Sequence, residues 1–123
     1  MVTVPAFLLR RLYVKGSLRN TPQGFQFQLK NSLGSGYARK LLALTLDGQE
    51  LPLEQCSFTV ASKEVPFAEV SPANPFTLAM NKTTTIAVKG TSLSKEPHKL
   101  QMAFEVAGLS TLKFDFTDIP ADE

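Results

Sequence analysis

The residues best placed to do chemistry lie in GFQFQLKNSLGSGYARKLL, residues 24–42. This stretch holds a Gly34-Ser35-Gly36 turn, Tyr37, and the cations Lys30, Arg39 and Lys40, with no acid among them. A glycine loop cradles phosphate by aiming backbone N–H groups at the anion, normally where a strand gives way to a helix. Here the Gly-Lys-Ser/Thr ending is missing and the residues that follow read as another strand. The loop is therefore expected to be a tight bend that leaves Tyr37 and Arg39 exposed for contact. The single histidine, His98, opens the segment HKLQMAFEV. One histidine, one cysteine and no Gly-x-Ser-x-Gly elbow leave no specific nucleophile–base pair to assemble. His98 is expected to cap a turn or sit at a strand edge. A cleft where it met a carboxylate and a hydroxyl would argue instead for an enzyme built on His98.

The other reactive groups say less. Cys56 is the one cysteine, which excludes an internal disulfide and a cysteine-cluster metal site. In EQCSFTV it reads as a small buried hydrophobe. Hard cations need several converging oxygens, and the acids here are scattered singly. Asp47 and Glu50 share a hairpin turn, where acids are commonplace, so they are not expected to act as a catalytic pair. Neither a catalytic residue, a metal ligand nor a cofactor-binding residue is expected in this chain.

Charge is uneven along the sequence. Residues 1–40 carry seven cations (Arg10, Arg11, Lys15, Arg19, Lys30, Arg39, Lys40) and no Asp or Glu; the remaining 83 residues carry six cations and all eleven acids. Cations on the solvent faces of strands, meeting acids across the fold, would account for this. An alternative is an oligonucleotide-binding barrel, whose basic face carries aromatics that stack on bases. Tyr13, among Arg11, Lys15 and Arg19, supplies those ingredients. The phenylalanines, however, fall at inward-looking positions, and the net charge is only +2.

Period-two alternation dominates the elements that must hold these groups. Phe25, Phe27 and Leu29 alternate with Gln26, Gln28 and Lys30, as in a strand with one buried face. The same pattern is read in Leu12, Val14 and Leu18; in Leu42, Leu44 and Leu46; in Phe58 and Val60; and in Ile86 and Val88. It recurs in Leu100 to Val106 and in Leu112, Phe114 and Phe116. Turn chemistry separates these runs: Asn20 to Gly24, the hairpin pair Asp47-Gly48, Ser71 to Pro75, and Ala107-Gly108 with Ser110. No capped helix is expected. The sum is one all-β domain over residues 1–123, an antiparallel β-sandwich (Ig-like or jelly-roll-like) of about seven to nine strands or a partly closed barrel, with residues 118–123 as an acidic frayed tail. Apolar runs such as Ala6 to Leu9 and Leu41 to Leu44 are too short to span a membrane, which needs roughly 20 apolar residues. The amino-terminal order does not read as a signal peptide, so a cytoplasmic location is expected.

The segments GFQFQLK (24–30), LDGQELP (46–52) and SLSKEPHKLQM (92–102) together resemble the small β subunit of bacterial C-glycoside deglycosidases and uncharacterised proteins of the same domain type. The firmest parts are Gly24-Phe25-Gln26-Phe27 and Asp47-Gly48, with Leu93 and His98. The resemblance covers roughly residues 10–117. It implies a non-catalytic β-sandwich that stabilises a larger, metal-dependent barrel subunit in a carbon–carbon lyase complex, with the divalent cation held by that partner. A homo-oligomeric structural role is the further alternative. Interfaces favour Tyr and Arg, so a partner surface is expected at Arg11, Tyr13, Arg19, Tyr37, Arg39, Lys40 and His98.

Overall fold

Strand β2 (Gly24–Lys30) buries Phe25, Phe27 and Leu29 completely while its glutamines stay half-exposed. That alternation is what a two-layer β protein requires, and the rest of the chain obeys it. The computed structural model describes residues 6–31, 36–60, 62–78, 81–106 and 111–121. Besides β2 these contain β1 (Arg19–Thr21), β3 (Gly36–Leu41), β4 (Thr45–Leu46), β5 (Gln49–Glu50) and β6 (Cys56–Val60). They continue with β7 (Lys63–Pro66), β8 (Phe76–Leu78), β9 (Thr83–Lys89), β10 (His98–Val106) and β11 (Thr111–Asp118).

Two antiparallel sheets face each other. One runs β1-β2-β9-β6-β7. In the other β10 is central, with β11 on one edge and β4 then β3 along its other edge; β5 and β8 lie outside those two. The fold is an all-β sandwich. Its eleven described strands exceed the expected seven to nine because several are only two to four residues long. Phe25, Phe27, Ile86 and Val88 of one sheet meet Leu100, Met102, Phe114 and Phe116 of the other in one continuous core. Burying each such side chain contributes about 1.5–3 kcal/mol.

The amino-terminal reading needs correction. Residues Ala6–Leu9 form a helical turn, α1, and Arg10–Leu12 continue it as a 3-10 turn. Leu9 and Leu12 are the buried positions, three residues apart, which is helical and not strand spacing. So short a helix is marginal alone; packing on β11 holds it. Leu42, Leu44 and Leu46 also fail as one strand, since the buried positions are Leu41 and Leu44 and the strand breaks between β3 and β4.

The turns behave as their residues demand. Asp47 and Gly48 both take positive φ, 50° and 87°, and close the β4–β5 hairpin. Pro22 and Gln23 link β1 to β2, with the Gly24 N–H donating to Thr21 Oγ1 at 3.1 Å. Ser71 and Asn74 bridge each other across Pro72 and Ala73. The turn expected at Ala107-Gly108 with Ser110, the loop residues Gly34 and Ser35, and the terminal Asp122 and Glu123 lie outside the described residues. Asp118 to Ala121 do not fray: Ala121 bridges Arg19, and its N–H donates to the Leu18 carbonyl at 2.8 Å.

Candidate functional site

β3 carries a ladder irregularity that exposes a group of chemically useful side chains. Its ladder with β10 pairs Leu41 with Phe104 and Lys40 with Glu105, then jumps to Ala38 with Val106. Arg39 is therefore an extra residue, a β-bulge. Bulges bend a strand and re-aim its side chains. Ala38 and Leu41 point into the core, while Arg39 and Lys40 are exposed side by side, close to Tyr37, which is 53% exposed.

On the other edge, β8 follows β3 only as far as the Ala38–Phe76 pair. Before Phe76 the chain turns away through Pro75 and the Ser71–Asn74 bridge. The gap is an open groove of about 410 Å³. Leu41, Leu53, Phe67 and Val70 line its apolar floor, and Phe67 and Val70 are anchored in the core. Arg39 and Lys40 form one rim, Ala68, Ser71 and Pro72 the other, and Glu105 is the acid at the edge. Among the described residues neither cation makes an ion pair.

The remaining expected contact residues are spread apart. Arg11 is exposed on the 3-10 turn and Arg19 on β1. Tyr13 does not face outward: its ring stacks on Phe116 with centroids 3.7 Å apart, and its hydroxyl donates to Asp118 at 2.7 Å. Burial, with Asp118 beside it, pushes the phenol up to about 12. Nearby, Arg10 pairs with Asp115 at 3.3 Å. The basic amino-terminal third therefore spends Tyr13 and Arg10 on holding α1 and its turn against β11, which removes the stacking residue that a nucleic-acid face would need. Cys56 is buried, and burial raises its thiol above the usual range.

His98 is where the sequence alone revealed least. Its Nδ1 lies 2.7 Å from Asp47 Oδ2, and its Nε2 lies 3.0 Å from the Ser94 carbonyl and 3.1 Å from Ser94 Oγ. A serine, a histidine and an aspartate thus do come within bonding range, which spacing in the chain did not disclose. A serine nucleophile needs an unprotonated Nε2 to take its proton. A carbonyl and a carboxylate can only accept, so the partners here favour a ring that donates from both nitrogens. Ser94 and Asp47 are exposed at a corner, and neither lines the groove beside β3. The Lys99 N–H donates to Asp47 Oδ1, and the Asp47 N–H donates to the Lys99 carbonyl, both at 2.8 Å. The arrangement is a clasp that ties the β4–β5 turn to the start of β10.

Asp47 raises the proton affinity of His98, and the Ser94 carbonyl and Glu96 add to this against a partial opposing effect of burial. His98, in turn, holds the Asp47 carboxyl below its ordinary range. For a histidine held high, the stabilisation is complete below its unfolded pKa and is lost as pH rises through the folded one. The clasp should therefore weaken as pH climbs from about 6.5, and the Asp47 contribution should fade in acid below its ordinary range, near 4. We expect the thermal midpoint to fall across the first window, with His98→Gln removing that slope. A variant with the wild-type slope would show that the clasp carries no proton-linked stability.

Residues 8–119 match the hydroxymethylglutaryl-CoA reductase N-terminal domain over most of the chain. The chain belongs to that family. A comparison with curated proteins finds no match. Membership in the reductase N-terminal domain family overturns the resemblance to C-glycoside deglycosidase β subunits, and with it the roles in a sugar-processing or lyase complex and beside a metal-dependent barrel. The motifs misled because they report backbone geometry. At Gly24 a Cβ would run into the Val88 carbonyl oxygen, and Asp47-Gly48 answers the φ demands of a tight turn. Many sandwiches share both needs. In this member of the reductase N-terminal domain family no described helix is long and apolar enough to cross a membrane, and no three metal-ligating side chains converge among the described residues.

Proposed function

We propose that this chain serves as a non-catalytic association domain for a hydroxymethylglutaryl-CoA reductase, working in the cytoplasm and docking through the β3 bulge onto the portion of the enzyme that carries the chemistry. The family match supplies the reductase context. The observation that carries the docking role is the bulge itself, which sets Arg39 and Lys40 side by side on an apolar groove, with Tyr37 exposed two residues before Arg39 on the same strand. Large amphipathic and forked cationic side chains around an apolar floor are what protein interfaces use as anchors.

Light scattering on the chain mixed with the catalytic portion of a hydroxymethylglutaryl-CoA reductase tests this. A stable complex is expected, weakened by Tyr37→Ala. A chain that stays monomeric in the mixture, or one that turns over hydroxymethylglutaryl-CoA by itself, would overturn it.

A further inference from the structure

From the groove beside the bulge we infer the chemistry of what docks there: an extended, acidic segment of a partner protein that carries an apolar side chain. This rests on the association role above and adds the class of ligand. Three features converge on it. Arg39 and Lys40 stand together without an ion pair among the described residues, and they outnumber Glu105, the acid that lines the same groove, so the charge there is net positive. The floor beneath them, Leu41, Phe67 and Val70, is apolar and held rigidly by the core. The ladder to β8 ends at Ala38–Phe76, so the outer edge of β3 from Arg39 onward borders the groove and not another strand.

An open sheet edge recognises extended backbone by strand addition, with alternate side chains entering pockets. Peptide carboxylates would reach Arg39 and Lys40 while a leucine or phenylalanine of the same segment covers the floor. Arg39 can grip a carboxylate with two parallel hydrogen bonds. Glu105, opposite Lys40 in the ladder, sets a limit on how far acidic charge can extend along the groove. An open groove of about 410 Å³ with an apolar floor suits such a segment better than a compact small anion, which would leave the floor uncovered.

The test uses the whole chain and a fluorescein-labelled peptide, Asp-Glu-Asp-Leu-Phe-Asp-Glu, followed by anisotropy. Two controls accompany it: one with lysine for every acid, and one with alanine for Leu and Phe. The acidic apolar peptide should bind, weaken about tenfold in the double variant Arg39→Glu/Lys40→Glu, and weaken as salt rises from about 50 to about 300 mM. Both control peptides should bind far less. Both substituted residues are exposed, and an unchanged circular dichroism melt would show that the variant still folds.

Equal binding by the lysine peptide, or no loss in the variant, would overturn the inference. So would a single-stranded oligonucleotide that outcompetes the peptide at this site, since that would assign the cations to nucleic acid. Light scattering separates the two levels. A wild-type complex that survives the double variant, with no peptide binding, removes the acidic-segment inference and docking through the bulge, and leaves only association with the reductase standing. Peptide binding without any complex removes the association role and leaves the groove assigned.

Discussion

Replacing Phe27 with alanine should cost about 3–5 kcal/mol, among the largest effects of any single truncation in this chain. Phe27 is fully buried in the middle of β2 and faces both sheets' contributions to the core. Its ring meets Phe116 edge-on at 5.1 Å and Tyr13 at 6.2 Å, beneath the pair those two form by stacking. Removing it deletes buried area and also two oriented aromatic contacts, each worth about 0.5–1.5 kcal/mol beyond area. It also undercuts Tyr13, whose hydroxyl holds Asp118 and accepts the Leu18 N–H at 3.2 Å. The void cannot close without shifting β2 against β11, and strands in a ladder do not shift singly. Urea unfolding should show the loss, with a thermal midpoint lower by something on the order of 10–20 °C. A loss under about 1 kcal/mol would mean that these rings do not pack as one cluster.

The second large effect is expected from the smallest change. Gly24→Ala adds one methyl group, and that methyl would collide with the Val88 carbonyl oxygen and lie 3.0 Å from Val88 C and 3.1 Å from Lys89 Cα. All three are backbone atoms of β9, directly across the ladder from Gly24. A flexible side chain could swing aside; a hydrogen-bonded strand cannot. Overpacking typically costs about 1–3 kcal/mol, and with nothing soft to yield the value should reach the top of that range. Amide exchange along β2 and β9 should speed up together, since relieving the clash means parting the two strands. Gln26→Ala, two residues along on the half-exposed face, should stay within about 0.5 kcal/mol of wild type. If the two substitutions proved equally mild, the close approach of β2 to β9 would be wrong.

The motif that suggested a deglycosidase subunit is thus better understood as a packing solution. Gly24 is glycine because β9 passes too near for a side chain, and Phe27 is aromatic because three rings fill one space. Neither fact speaks of substrate. The reductase family match rests on residues 8–119 as a whole, which short strand-and-turn motifs could not stand in for.

Strand identity was legible wherever one face meets oil and the other water. Phe25, Phe27 and Leu29 announce β2, and Leu112, Phe114 and Phe116 announce β11, because a period of two is imposed by the backbone itself. Asp47-Gly48 was equally readable, since few residues tolerate positive φ twice running. The reading failed where local pattern was ambiguous or partners lay far off. Leu9 and Leu12 settle as helix only because β11 offers a surface for them. The bulge at Arg39 is a disagreement in count between β3 and β10, invisible in either strand alone. His98 finds Asp47 across 51 residues, and Tyr13 finds Asp118 across 105. Alternation and turn residues are local properties, written in each segment, and they determined an all-β chain of two layers. Which strand edge stays open, which cations stay unpaired, and which histidine meets which carboxylate depend on distances between segments remote in the chain, and those exist only once the sheets have closed.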